Sequence, residues 1–514
     1  MKIVEVIPAT KIPLDRAQVY TYYTGLSLEK GSLVLVPLAR RKVPGVVIQI
    51  KDLESHKLEI KKADFKLKSI YKIISQSPVL TTEQLKLAQW LARYAYVSLG
   101  LIIKTILPKI PKRAKPDQEL FKEKNEQQTI ILVPEISLIP QAVKKYAKSQ
   151  EITVYHRELG LTKYYQAWQK IISGRAKIII GPRSAIFAPV KNLEKIIITQ
   201  EHDPSYKSSE QAPRYDARKV AQKLAQLTRA KLILESPTPS IETYYQASQN
   251  KYQLKVSSLS FPSRLSIVDM KEEIAKGNYS IFSYLCQEAI EKVLRKKQKA
   301  ILFINRRGTA TFIICRDCGY VVKCPLCEVP LVYHILSYSQ KKDKLICHHC
   351  NHHQEAPTLC PKCQSHRIKY FGTGTQRVET EVKKLFPSAK VVRLDSDLPE
   401  KIQTKVIQTW LSQQADVLVG TQMIARIPDL PKISLVGVIT ADTILHLPDF
   451  KASERTFQMI SQIVSLGNEA IIQTYNPESS TFQAIAKREA KSFYQKEIQA
   501  RKALAYPPFS QLVK

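Results

Sequence analysis

Glycine is scarce in this chain: 15 of 514 residues, under half the usual ~7%. None lies between Gly100 and Gly160, and no glycine is followed by lysine. A phosphate-binding loop needs glycines so that backbone N–H groups can close on the phosphates, and a lysine to reach the outer ones. No loop of that kind is encoded. Long apolar runs are absent too. The longest stretch free of Asp, Glu, Lys and Arg, Thr456 to Asn468, is too short and too polar for a bilayer, which takes ~20 apolar residues. The N-terminus MKIVEVIPATKIPLDR lacks the apolar core of a secretory signal. These absences predict a cytoplasmic protein with no membrane partner. Cysteine is nearly missing outside one region: Cys286 stands alone, and the other eight fall between Cys315 and Cys363. Acidic residues are few, 45 against 79 Lys plus Arg, which leaves a net charge of +34. That excess implies a polyanionic partner, nucleic acid first; the plainer alternative is a solvated lysine-rich surface.

What is present can build large cores. With 44% hydrophobic residues, disordered and fibrous classes are excluded, and the length predicts three or four domains. Residues 1–108 read as a small β-rich domain, with Gly31–Ile50 forming two strands around the basic turn Arg40-Arg41-Lys42. A helix follows at TTEQLKLAQWLARYA, capped by Thr81 with Gln84 reaching back, its apolar stripe made of Leu85, Ala88, Leu91, Ala92 and Ala95. Residues 109–128, rich in proline and charge, read as a linker. From Thr129, bare apolar runs such as TIILVPE, AKIIIG, KIIIT, KLILES, KAILFINRRG, DVLVG, LVGVITAD and AIIQTY alternate with helical stretches. Runs without alternation suit strands buried on both faces, hence parallel sheets. They are too many for one small sheet. Two α/β lobes are expected, 129–255 and 256–314 plus 367–480, with a hinge between about 236 and 300. The cysteine-rich insert 315–366 interrupts the second lobe. Residues 481–514 read as a helix and then the start of a further strand.

The clustered cysteines form four C-x-x-C knuckles: Cys315/Cys318, Cys324/Cys327, Cys347/Cys350 and Cys360/Cys363. Two knuckles complete one tetrahedral thiolate site, so eight thiolates predict two closed, structural zinc sites. Disulfides and free thiols are the alternatives. Local geometry favours nesting, with the second and third pairs closing one site and the outer pairs the other. His334, His348, His349, His352, His353 and His366 sit in the same stretch. With four thiolates available per ion, they read as surface or nucleic-acid contacts. Cys286 reads as a buried thiol.

These segments resemble the bacterial replication restart helicase family PriA (primosomal protein N′), superfamily 2 DNA translocases. The resemblance runs over nearly the whole chain. LDRAQVYTYYTGLSLEKGSLVLVPLARRKVPGVV is similar to the family's N-terminal domain, which holds the 3′ end of a nascent DNA strand. LVPEISLIPQ and IIIGPRSAIFAP resemble helicase motifs Ia and Ib, SPTPS motif III and FINRRGTA motif IV. VGTQMIAR, LVGVITADTILHLPDFKASERTFQ and IIQTYNPE resemble the region around motifs V and VI. The fold implied is two RecA-like parallel-sheet lobes with a β-rich N-terminal domain and an inserted zinc module. The family's zinc pairing implies Cys315, Cys318, Cys360 and Cys363 on one ion and Cys324, Cys327, Cys347 and Cys350 on the other. ALAYPPFSQLVK resembles the start of a C-terminal domain, which is expected to be missing.

Three departures fall on nucleotide chemistry. The family's winged-helix domain and P-loop are replaced by the linker up to Gln128. Its Asp-Glu-x-His is Thr199-Gln200-Glu201-His202 here. Threonine brings no charge to Mg²⁺, and the Gln200 amide cannot take a proton from water. Glu201 would point the other way if the strand continued. Where the family has Gly-Arg-x-Gly-Arg, Gln462 to Glu469 carries no arginine, and such an arginine is worth ~10³-fold or more in rate. No residue is assigned as catalytic, and ATP is not expected as a cofactor.

The features expected to face DNA persist. His202 to Lys219 resembles the family's aromatic-rich loop, in which Tyr206, Lys207, Arg214, Tyr215 and Arg218 interleave rings and charges suited to bases and phosphates. A merely solvated loop is the alternative. Arg183 contacts either a phosphate or a carboxylate. Tyr20 and Tyr22 sit where the resemblance implies a 3′-end pocket, though the acidic residue between them is Thr21. The function expected is binding of forked or single-stranded DNA and 3′ ends in replication restart, with primosome or single-strand-binding proteins as candidate partners and a degenerate ATPase site. An active helicase completed by another chain and a zinc-stabilised adaptor remain open alternatives.

Overall fold

The computed structural model describes residues 1–52, 67–111, 126–146, 151–304, 312–328, 330–334, 344–347, 350–371, 374–395, 397–427, 430–447 and 449–512. Most of the expected linker and most of FINRRGTA lie outside them. The chain forms two compact units, Met1–Ser236 with Gln249–Lys255 and Pro237–Ser248 with Val256–Lys514.

The first unit holds two sheets. The N-terminal one orders its strands as Lys68–Ser69, Tyr20–Thr24, Lys2–Pro8, Arg41–Asp52, Leu33–Leu38 and Lys72–Ser75. Leu33–Leu38 and Arg41–Asp52 are a tight antiparallel hairpin, with Leu38 opposite Arg41. Alternation turns Val34, Val36, Val4, Val6 and Val47 into one small core. The helix Thr82–Tyr94 starts at the expected capping box: Thr81 Oγ1 accepts from the Gln84 amide at 3.1 Å, and the Gln84 side chain accepts from the Thr81 amide at 3.0 Å. Its buried stripe, Leu85, Ala88 and Leu91 with Leu87, joins the core of the first α/β lobe. There it packs on the helix Ala217–Thr228.

That lobe's sheet runs Gln253–Val256, Lys231–Ser236, Leu193–Ile198, Gln128–Leu132, Ile178–Gly181 and Ile152–Val154. From Lys231–Ser236 to Ile152–Val154 all neighbours are parallel. Ile130, Leu132, Ile179, Ile196 and Ile198 are fully buried, as bare apolar runs in a covered sheet should be.

The second unit's sheet runs Arg264–Asp269, Gly467–Thr474, Ile433–Val438, Ala300–Phe303, Val417–Gly420 and Val391–Leu394, again parallel throughout. The cysteine-rich insert follows Ala300–Phe303 and carries its own small antiparallel strands. Two assignments made from sequence change here. The helix Ile241–Ser248, placed by its position in the first lobe, groups with the second unit: Glu454 Oε1 accepts from the Ile241 amide at 3.1 Å, and Tyr244 stacks on Tyr494 at 4.3 Å. The last segment holds no strand among its described residues. The helix Ala490–Ala503 buries Phe493 and Tyr494 in the second unit's core, and turns and bends replace the expected strand. No helix among the described residues is long and apolar enough to cross a membrane.

Candidate metal centres and nucleic-acid interface

The four knuckles share one local conformation. The carbonyl of each first cysteine accepts from the amide four residues on, at 2.9 Å: Cys315 from Gly319, Cys324 from Glu328, Cys347 from Asn351 and Cys360 from Gln364. Those four donor residues, one past each second cysteine, are all left-handed, with φ of 72°, 56°, 61° and 57°. Glycine and asparagine take that region readily; Glu328 and Gln364 do so at a cost. The turn presents both sulfurs to one point. Two tetrads result, Cys315, Cys318, Cys360 and Cys363, and Cys324, Cys327, Cys347 and Cys350, each with its sulfurs within 4.8 Å of one another. The separations include 3.6 Å for Cys315 to Cys363 and for Cys318 to Cys360, 3.5 Å for Cys324 to Cys350 and 3.3 Å for Cys327 to Cys347. A tetrahedral ion with bonds of ~2.3 Å sets its sulfurs about 3.8 Å apart, so both tetrads fit a metal, and the pairing is nested. None of the eight cysteines is in a disulfide. His352 is half-buried, while His353 and His366 are exposed outside both tetrads. His348, His349 and the side chain of His334 lie outside the described residues. Cys286 is fully buried, and burial pushes its thiol up to about 12.

The insert is seated on its own lobe. Ile314 and Val321 pack against Tyr475, and a Cβ at Gly319 would lie 3.0 Å from the Tyr475 carbonyl oxygen. Glycine there meets two demands, a left-handed φ and this close approach.

The Thr199–His202 segment is a turn, not a continued strand, because Leu193–Ile198 ends before it. Thr199 folds back, with amide and hydroxyl both donating to the Leu132 carbonyl at 3.0 Å. Gln200 is left-handed at φ 46°. The strand-alternation argument for Glu201 therefore does not apply: Glu201 is fully buried, 4.0 Å from the Arg218 guanidinium. His202 Nδ1 shares a 2.6 Å hydrogen bond with the Ser236 hydroxyl. In the second unit, the Gln462 side chain donates to Thr238 Oγ1 at 2.9 Å.

The loop that follows is a narrow antiparallel ribbon, in which Lys207 bridges to Asp216 and the Ser208 amide donates to the Tyr215 carbonyl. Three expectations are corrected in and beside it. Tyr206 is fully buried, its hydroxyl 2.6 Å from the Thr199 carbonyl. Tyr215 is buried edge-on against Phe187. Neither ring is placed to stack on a base. Arg218 grips Asp216 through Nε at 2.9 Å and Nη2 at 2.7 Å, and donates to the Glu201 carbonyl at 2.7 Å, so its guanidinium holds the turn and not a phosphate. Arg183 likewise spans inward to the Ser205 carbonyl at 2.8 Å. Lys207 and Arg214 are exposed.

In the N-terminal sheet, Arg40, Arg41 and Lys42 are exposed, and the Lys42 ammonium lies 3.1 Å from the centre of the Tyr71 ring. Tyr20 is half-buried. Tyr22 is not a surface ring: it is buried, its hydroxyl donates to the Pro37 carbonyl at 3.1 Å, and burial pushes it up to about 12.

Two buried polar groups gave no signal in the sequence. Arg501, 1% exposed, lies 2.6 Å from Glu454, 3.0 Å from Glu497 and 3.7 Å from Glu242. Asp442 opens the short helix Asp442–Leu445, is buried, accepts from Thr474 Oγ1 at 2.7 Å and the Tyr475 amide at 3.0 Å, and is pushed up to about 6 by burial. Polar residues spread along the chain in this way show no pattern until the fold gathers them.

Two parallel-sheet α/β lobes, a cysteine-rich insert in the second and a β-rich domain in front define a multidomain α/β protein with a candidate metal-binding module. A family model for a 3′ DNA-binding domain matches residues 6–108. The replication restart protein PriA of Bacillus subtilis is 41% identical over 74% of this chain and 48% of its own length. That of Borreliella burgdorferi is 31% identical over 88% of this chain and 77% of its own length. The chain belongs to the PriA replication restart protein family. It spans about half the length of the first relatives it matches, 48%, 49% and 53% for three of them. Among solved structures, RecG bound to a three-way DNA junction covers 88% of this chain, with 52% of its own covered, at a TM-score of 0.37 and 10% identity.

Proposed function

We propose that this chain binds forked and single-stranded DNA, 3′ ends included, and serves replication restart or primosome assembly through contacts rather than unwinding. In this reading residues 1–108 hold the 3′ end, and zinc fills both cysteine tetrads as a structural ion. Thiolate sets of four leave a tetrahedral ion no open position, which suits scaffolding and not catalysis. Primosome or single-strand-binding proteins are the protein partners, in the cytoplasm.

The observation that carries the reading is a concerted one. No glycine-lysine pair is encoded, Glu201 is turned inward against Arg218, and the segment Gln462 to Glu469, where the family has Gly-Arg-x-Gly-Arg, carries no arginine. These are three separate parts of phosphoryl-transfer chemistry, and the residues present do not fit a nucleotide being hydrolysed. Arg40, Arg41, Lys42, Lys207 and Arg214 meanwhile face solvent, where cations can meet phosphates.

The test is a DNA-stimulated ATPase assay beside a fork-binding titration at several salt concentrations. The reading expects no turnover, and fork affinity that falls steeply with salt as counterions are released. Turnover that survives removal of contaminating ATPases overturns it. Fork binding that is absent or salt-insensitive favours the adaptor instead.

A further inference from the structure

We infer that the outer face of the helix Thr82–Tyr94, with the turn after it, is an aromatic stacking platform for an unpaired base of single-stranded DNA. This rests on the DNA-binding reading above and adds a site to it. The helix's inner stripe is buried, so its outer face is the one left to meet a ligand. On that face Trp90 and Tyr94, one turn apart, stack with centroids 4.9 Å apart and planes at 17°. Trp90 is half-buried against the core and anchored by it. Tyr94 is 47% exposed. With one face covered by Trp90, what Tyr94 offers to solvent is its other face and its edge.

Tyr96, two residues on, is 83% exposed and left-handed at φ 51°. That conformation ends the helix, with the Val97 amide donating to the Ala92 carbonyl at 3.0 Å, and it leaves the Tyr96 ring in solvent beside Tyr94. Lys86 and Arg93 are exposed on the same helix. The helix packs on Ala217–Thr228, whose cap is Asp216. Asp216 also closes the ribbon that carries Lys207 and Arg214. It lies near enough to Tyr94 that, after burial, its charge is the second cause holding the Tyr94 hydroxyl above its usual range. The Asp216 carboxylate is engaged by Arg218 at 2.7 Å and 2.9 Å, so it does not set an unbalanced anion beside the rings. Rings and basic loop are thus neighbours on one unit. A strand with phosphates on Lys207, Arg214 and Arg93 brings its bases to Tyr94 and Tyr96, the arrangement used for sequence-tolerant single-strand binding.

The test uses the full chain and an oligothymidylate carrying bromodeoxyuridine. Ultraviolet cross-linking is expected to mark the tryptic peptide from Tyr94 to Lys104. Tyr94→Ala is expected to weaken binding by about tenfold, while Tyr94→Phe, which keeps the ring, stays within about twofold. Circular dichroism melts of the variants must match the parent; if Tyr94→Ala fails that check, the cross-link in the parent decides. Parent binding with cross-links only elsewhere and no effect of Tyr94→Ala overturns the platform and leaves the DNA-binding reading standing, pointing to a protein on that face. No binding by the parent overturns both.

Discussion

Replacing Tyr206 by phenylalanine separates a structural ring from a DNA-stacking one. The ring is fully buried, and its hydroxyl lies 2.6 Å from the Thr199 carbonyl and 3.0 Å from that of Leu132. A hydroxyl has one proton to donate, and the shorter contact takes it. The Leu132 carbonyl also accepts from the Thr199 amide and hydroxyl. Tyr206→Phe therefore strands one partly buried acceptor, that of Thr199, at about 1–2 kcal/mol. In urea that is a midpoint shift of about 0.5–1 M for the first unit. Fork affinity should stay unchanged, because no part of the ring reaches solvent. The paired variant Lys207→Ala, Arg214→Ala should behave in reverse. Both side chains are exposed, so stability stays within about 0.5 kcal/mol. Losing two phosphate contacts to single-stranded DNA lowers the slope of log affinity against log salt by about 1.4. The assays are urea unfolding and fluorescence anisotropy of a labelled fork over a salt series. A Tyr206→Phe protein of unaltered stability that binds the fork much more weakly would refute the placement of the ring. An unchanged salt slope in the paired variant would refute the role of the loop.

Arg501→Met leaves the buried Glu454 and the half-buried Glu497 without their cation, and should cost about 3–5 kcal/mol, read as a urea midpoint shift of the second unit; a shift near zero would mean the cluster is solvent-screened. Purified protein should carry zinc at both tetrads, and Cys363→Ser should release one ion and not the other; equal loss from both, by metal analysis, counts against two independent sites. His446 is pushed down to about 4 by burial and then by Lys323, against about 6.5 unfolded. A base held neutral stabilises above its unfolded value, and that stability is lost as pH falls from about 6.5 toward 4. Between pH ~7.5 and ~5 the parent should lose about 2 kcal/mol more than His446→Gln, by urea unfolding, and parallel profiles would exclude this cause.

How much was legible in the sequence depended on whether the signal was local. Bare apolar runs became the central strands Gln128–Leu132, Leu193–Ile198, Ala300–Phe303, Ile433–Val438 and Gly467–Thr474, because a strand covered on both faces must be apolar at every position. Edge strands carry no such demand. Gln253–Val256 and Arg264–Asp269 are largely exposed or half-buried, and their mixed composition reads as loop. The capping box at Thr81 and Gln84 was legible because its partners are three residues apart.

The sequence by itself determined the four cysteine knuckles and the lack of any Gly-Lys pair. Knuckle spacing presents two thiolates at one turn, and a loop without glycine cannot close on phosphates. Tertiary structure alone decided which members of the aromatic and basic loop face outward. Tyr206, Tyr215 and Arg218 turn in and Lys207 and Arg214 turn out, since the partners that hold Tyr206 and Tyr215, the Leu132 carbonyl and the Phe187 ring, come from segments distant in the chain. The same holds for Arg501, whose carboxylate partners Glu242 and Glu454 come from segments far along the chain, brought together only when the second unit's core closes.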